Sequence, residues 1–166
     1  LEVGGWALEE ACKVGGRLLQ QGLLPLNDFL LAVNISPRQF RQTDFVEQVE
    51  NCLKRHRLPP TMLKLEITEG IVIQNLDDTI AKMLRLKKIG VSFAMDDFGT
   101  GYSSLTYLKR LPVDVLKIDQ SFIHEAATDA NDAEIVRAIV GMANSLNLSV
   151  IAEGVETVEQ LSLIHI

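Results

Sequence analysis

Apolar residues recur at helical spacing through Val3, Trp6, Ala7, Leu8, Ala11 and Val14, and continue through Leu18 and Leu19 towards Gly22 and Pro25. This pattern predicts a first helix stopped by a glycine and a proline. The next apolar run, Phe29 to Val33, ends in Asn34. It is too short for a helix and predicts a parallel strand buried on both faces. Asp44 is placed to cap a helix running to about Arg57, with Glu47 as the second half of a capping box. Phe45, Val49, Cys52 and Leu53 form its apolar stripe, and Pro59-Pro60 ends it.

The alternation then repeats. Met62 to Ile67 predicts a strand, Asp77 to Lys88 a helix with Gly90 as C-cap, and Val91 to Met95 another strand. A shorter helix from about Ser104 to Lys109 leads past Pro112 into a strand at Val113 to Ile118. A helix from about Asp132 to Leu146 leads into a strand at Ser149 to Ala152. Apolar strands alternating with helices predict an α/β fold, a parallel sheet covered by helices and either open or closed into a barrel. No low-complexity linker interrupts the pattern, and 166 residues suit one domain or part of one.

Composition narrows the function. With 47% hydrophobic and 23% charged residues the chain can build a core, which excludes a disordered segment or a disulfide miniature. Sixteen Lys plus Arg against twenty-two Asp plus Glu give −6, so the basic footprint needed to grip a nucleic-acid polymer is missing. A small anionic ligand stays open if bound cations invert the local field. Cys12 and Cys52 lack a C-x-x-C spacing and read as two reduced thiols, which predicts a cytoplasmic setting. No apolar stretch nears the roughly 20 residues of a spanning helix, so any membrane anchor is expected on other domains of the parent. The chain opens in helical pattern without an initiator methionine or a leader, and is expected to be cut from a longer protein.

The informative pattern is that every strand ends in polar residues. The ends read Asn34-Ile-Ser36, Glu66-Ile-Thr-Glu69, Asp96-Asp97-Phe-Gly99, Lys117-Ile-Asp119 and Glu153-Gly-Val-Glu156. Carboxyl ends of parallel strands form the functional face of α/β proteins, so loops far apart in sequence are expected to supply one cluster. Singly, Glu66 and Glu153 read as helix caps, Asn34 as an Asx-turn and Lys117 as a neighbour's counter-charge. Jointly, Asn34, Glu66, Asp96, Asp97 and Glu153 at one depth would repel unless cations neutralise them. All the donors are oxygens and no histidine stands at a strand end, which favours Mg²⁺ or Mn²⁺ over Zn²⁺. Consecutive Asp96 and Asp97 suit two neighbouring metals if the backbone turns there, and such a pair can activate water against a phosphodiester. Lys117 is then placed to stabilise the attacking water or the anionic transition state.

In order and spacing these motifs resemble the EAL-domain family of bacterial cyclic-di-GMP phosphodiesterases, from about Trp6 to Gln160; the Asp96-Asp97-Phe-Gly-Thr-Gly-Tyr-Ser-Ser104 stretch is the most specific part. The resemblance implies an incomplete TIM-like (β/α)8 barrel with strands three to seven of eight present. It implies hydrolysis of cyclic di-GMP to linear pGpG with two Mg²⁺ or Mn²⁺ ions. Asn34, Glu66 and Asp96 match ligands of one metal, and Asp96, Asp97 and Glu153 ligands of the second, with Asp96 bridging. Lys117 matches the lysine that contacts the catalytic water, and Glu69 a glutamate that holds the Asp96 to Ser104 loop. Asp119 and Glu156 are supporting candidates. Flanking sensory or diguanylate-cyclase domains are expected partners in the parent, and a homodimer is allowed.

The Glu-Ala-Leu motif that names that family is expected upstream of Leu1, so these residues alone are expected to be inactive. Residues 1–160 read as the partial domain, and Leu161-Ser-Leu-Ile-His-Ile166 as a non-native tail, because CTG TCT CTT ATA CAC ATC, which encodes it, looks like a transposon-adapter sequence. The competing reading is a catalytically silent module that binds cyclic di-GMP or another protein; the filled ligand positions weigh against it. An enolase-type barrel would also collect carboxylates at strand ends, but has no use for the Asp97-Phe-Gly run.

Overall fold

A computed structural model describes residues 2–24, 29–71, 75–99, 105–126 and 129–164. Pro25, Thr100 to Ser104, His165 and Ile166 lie outside the described residues. The chain divides into two compact units, Leu1–Phe93 and Ala94–Ile166.

In the first unit, helix α1 (Glu2–Gln20) packs on strand β1 (Leu31–Ile35) and on helix α3 (Phe45–His56). Its buried line is Leu8, Cys12, Gly15 and Gly16, whereas Trp6 is 64% exposed and Val3 77%. Of the expected stripe from Val3 to Val14 only Leu8 is buried, and the packing line continues through Cys12 and two glycines instead. Small residues let the backbones approach: a Cβ on Gly16 would lie 2.1 Å from the carbonyl oxygen of His56. Cys12 and Cys52, distant in sequence, are free, buried and brought together by this contact.

Strand β1 pairs in parallel with β2 (Leu63–Thr68), Val33 opposite Leu65 and Asn34 opposite Glu66. It lies two residues later than its apolar run suggests and is not buried on both faces. Val33 and Ile35 are buried while Ala32 and Asn34 are exposed, an alternation that the short run of apolar letters conceals. Between the strands, Ser36 caps the short helix α2 (Pro37–Phe40) by accepting from Gln39 N–H, with Pro37 at the first helical position. Asp44 stands at the N-cap of α3 but makes no side-chain cap bond, and Glu47 turns outward to Arg85 at 2.8 Å, so the anticipated capping box is absent. That helix stops before the prolines, because Arg57 turns left-handed at φ 54° and Leu58 N–H returns to Leu53 O. Helix α4 (Leu76–Ile89) is capped by Asn75 and closed by Gly90 at φ 109°. Its Lys82 is buried, donating to the carbonyls of Phe40 and Gln42 left over at the end of α2.

In the second unit β3 (Ser92–Phe98, from Ala94 onward), β4 (Val115–Ile118) and β5 (Ser149–Ala152) run parallel, with Ala94 opposite Val115 and Val115 opposite Ser149. Helices α5 (Leu105–Leu108), α6 (Gln120–Ala126), α7 (Ala130–Ser145) and α8 (Val158–Ile164) connect and follow them. Asp129 caps α7 by accepting from Asn131 N–H. A full capping box opens α8: Thr157 Oγ1 accepts from Gln160 N–H while Gln160 Oε1 accepts from Thr157 N–H. Among the described residues no helix is long and apolar enough to cross a membrane.

Two glycines separate backbone from packing effects. Gly90→Ala forces a left-handed φ on an L-residue and sets its Cβ 3.0 Å from Thr61 Cγ2, so a loss of about 1–2 kcal/mol is expected. Gly141 sits within α7 with open space around it, and Gly141→Ala is expected to gain about 0.5–1 kcal/mol. Urea unfolding midpoints at unchanged m-value read both, and the two shifts should have opposite signs.

Candidate metal centre at the strand ends

In the first unit the relevant face of the sheet is the one turned away from the buried residues. Asn34 and Glu66 are direct partners across β1 and β2, so their side chains share that face at the carboxyl ends of both strands. Glu69 follows in a one-turn 3-10 helix, Glu69–Ile71, with its Oε2 buried.

In the second unit, β3 solves the problem of presenting consecutive aspartates together. Its register with β4 shifts between Met95 and Phe98, and Asp97 adopts φ 53°. The left-handed residue in this bulge re-aims a side chain that a regular strand would send to the opposite face. As a result Asp96, Asp97 and Glu153 each offer a carboxylate oxygen, all within 4.8 Å of one another. Glu153 follows directly on β5, held to the ladder by its N–H to Ile118 O. Lys117, buried on β4, places Nζ 2.8 Å from Asp96 Oδ1 and 2.8 Å from Glu153 Oε1. Just past β4, Asp119 accepts from the backbone N–H and hydroxyl of Ser121 and meets Asp97.

One ammonium thus faces four carboxylates. Burial, and then the charges of Asp96, Asp119 and Glu153, push the Asp97 carboxyl above its ordinary range, with Lys117 opposing. Asp119 is held below its ordinary range by its hydrogen bonds to Ser121. Asp96 Oδ1 is buried against the Lys117 ammonium at 2.8 Å, which answers one of the clustered negative charges and leaves the others. An excess of negative charge in an all-oxygen donor set fits a hard divalent cation.

Glu156 is exposed; its backbone N–H, not its carboxylate, is engaged, donating to Gln160 Oε1. Ser121, which fixes Asp119, was not singled out in the sequence, where a hydroxyl two residues past a strand end is a common turn feature. Also unanticipated is a group away from the strand ends, Glu9, Cys52 and His56 on α1 and α3. Its only trace in the sequence is helical spacing.

The sequence profile of the EAL domain matches residues 1–165. The chain belongs to the EAL domain family. It is 46% identical over 160 residues to the bifunctional diguanylate cyclase/cyclic di-GMP phosphodiesterase MucR of Pseudomonas aeruginosa, covering 96% of this chain and 23% of that protein. The crystal structure of the EAL domain of Mycobacterium smegmatis DcpA superposes with a TM-score of 0.90 at 41% identity, over 99% of this chain and 73% of that one. Klebsiella pneumoniae BlrP1, as a manganese and cyclic-di-GMP complex, superposes with a TM-score of 0.80 at 30% identity, over 96% of this chain and 40% of that one. The chain spans about a fifth of the length of the curated relatives it matches. Its fold is the α/β architecture of these EAL domains, part of a TIM-like barrel.

The charge balance of the second unit can be probed without turnover. Lys117→Met leaves Asp96 and Glu153 without their shared cation and is expected to cost about 3 kcal/mol in the presence of chelator. Mn²⁺ should restore a large part of the loss. Thermal melts with and without chelator check this, and a variant whose melting ignored Mn²⁺ would show that the carboxylates do not accept a divalent ion.

Proposed function

We propose that the EAL domain to which these residues belong hydrolyses cyclic di-GMP to linear pGpG, in the cytoplasm, with two bound Mg²⁺ or Mn²⁺ ions. The supporting observation is the gathering of Asp96, Asp97 and Glu153 around buried Lys117 in a member of a family that includes named cyclic-di-GMP phosphodiesterases. Asn34, Glu66 and Asp96 would hold one ion, and Asp96, Asp97 and Glu153 the other. Bound divalent ions supply the Lewis acidity that makes water a nucleophile near neutral pH and polarises a phosphodiester.

The chain's own residues do the rest. Lys117, desolvated and held between two carboxylates, keeps an ammonium fixed where negative charge develops, so little reorganisation is needed as the anionic transition state forms. Its Nζ, between Asp96 and Glu153, is also placed to orient the attacking water. Asp119, fixed by Ser121, positions Asp97. Glu69 is assigned the support of the loop that follows Asp97. Sensory or diguanylate-cyclase domains are expected to flank the domain in the parent, as the bifunctional name of MucR illustrates. These 166 residues, which cover 73% of a solved EAL domain chain, are expected to be silent alone.

In the complete domain Asp96→Asn should abolish turnover while leaving the fold intact, since it removes one charged ligand from both ions. Glu69→Ala should cost less, about 10–100-fold, because it loosens support without removing a ligand. Conversion of cyclic di-GMP to pGpG with Mg²⁺ or Mn²⁺, followed by chromatography, checks both. Turnover by Asp96→Asn at the parental rate would sink the two-metal assignment. A metal-loaded parent that bound cyclic di-GMP without cleaving it would establish the receptor reading instead.

A further inference from the structure

The helices α1 and α3 carry a second cluster of donor atoms that phosphodiester chemistry does not use. Cys52 and His56 are four residues apart on α3, and Glu9 and Cys12 three apart on α1, so each pair shares one helical face. The two helices pack against each other, bringing those faces together. One donor atom from each of Glu9, Cys52 and His56 lies within 4.8 Å of the other two. His56 Nε2 is 2.8 Å from Glu9 Oε1, and Cys52, whose Sγ donates to Leu8 O at 3.6 Å, has Cys12 as its neighbour across the helix contact. Both thiols are buried, and the His56 side chain is only 16% exposed.

An ion pair that merely pins α1 to α3 would need Glu9 with Arg55 and His56, and those contacts exist at 2.7 and 2.8 Å. It would not need the Cys52 thiol within 4.8 Å of both the carboxylate and the imidazole. A sulfur, an imidazole nitrogen and a carboxylate oxygen are instead the kinds of ligand that a tetrahedral Zn²⁺ takes, and Cys12, beside Cys52 on the facing helix, is the donor that would complete four. Thiolates select against Mg²⁺, Mn²⁺ and Ca²⁺, so this cluster and the all-oxygen strand ends would sort metals by ligand softness. A cleft of about 220 Å³, lined by Glu9, Gln48, Asn51, Cys52 and Arg55 among others, reaches two of the three donors, Glu9 and Cys52. Two thiolates and a carboxylate would leave bound Zn²⁺ with a net charge of −1, which Arg55, already on Glu9, balances from outside the ligand shell.

The geometry points to a zinc site in which Glu9, Cys52 and His56, with Cys12 as the fourth ligand, clamp α1 to α3. It is a structural site on the helical layer, and it stands whether or not the domain cleaves cyclic di-GMP. The protein carrying these residues, stripped with chelator, is titrated with Co²⁺ and then Zn²⁺. One equivalent of Co²⁺ should give a thiolate-to-cobalt band in the near ultraviolet and the intense visible bands of a tetrahedral ion, both lost on adding Zn²⁺. The strand-end carboxylates cannot produce a thiolate band, so the two sites are read separately. His56→Gln and Cys52→Ser should each remove the tetrahedral bands and weaken zinc binding by at least about 10-fold. His56 is partly exposed, so His56→Gln is the decisive variant if the buried cysteine cannot be replaced without loss of fold. Absence of a thiolate band in the parent, or the same band and zinc affinity in His56→Gln, would overturn the assignment.

Discussion

Everything at the strand ends of the second unit follows from the cost of placing like charges together away from water. Lys117 is buried on a strand whose four residues are all inaccessible, and it survives there because two carboxylates stand 2.8 Å from its ammonium. Those carboxylates in turn tolerate each other and Asp97 only because of that ammonium. Neither sign of charge could occupy this depth alone. One cation among four acidic groups still leaves an excess of negative charge, which a bound cation would offset.

Parallel strands make this concentration of charge feasible. Each brings polar residues to, or just past, its carboxyl end while β1 to β4 bury apolar residues behind them, so charge gathers without any one segment becoming too polar to fold. Asn34 beside Glu66 follows the same rule in the first unit, with Val33, Ile35, Leu65 and Ile67 buried on the opposite face.

Much of this was legible in the residues. The strand at Ser149 to Ala152 lies where its letters place it, and helices α3, α4 and α7 fall within two residues of their apolar patterns. Gly90 closes α4 as its position foretold. What escaped had physical reasons. Helices α2 and α6 are four and seven residues long, too short for a helical period to stand out. Helix α1 packs through glycines, which hydrophobicity does not register, so Trp6 and Val3 were placed inside when they are exposed. Asp44 and Glu47 have the letters of a capping box, but Arg85 outcompetes the helix terminus for Glu47. Thr157 and Gln160 have the same letters and do form one. For the candidate site, the oxygen donors could be read from strand ends, whereas Ser121 under Asp119 and the meeting of α1 with α3 depend on packing that no local pattern encodes.

The left-handed backbone at Asp97 narrows what that position can be. At φ 53° a β-branched or bulky residue is strained, while asparagine, aspartate and glycine sit comfortably. Two demands therefore fall on one residue: a side chain with an oxygen to offer, and a backbone willing to turn the wrong way. Only asparagine shares both properties with aspartate. Asparagine is thus the exchange that isolates charge from shape at this position, and alanine or glutamate would alter the strand end as well as the donor set. Variation among homologous sequences at this position should accordingly be drawn from a much shorter alphabet than at Asp96, where the backbone imposes no such filter.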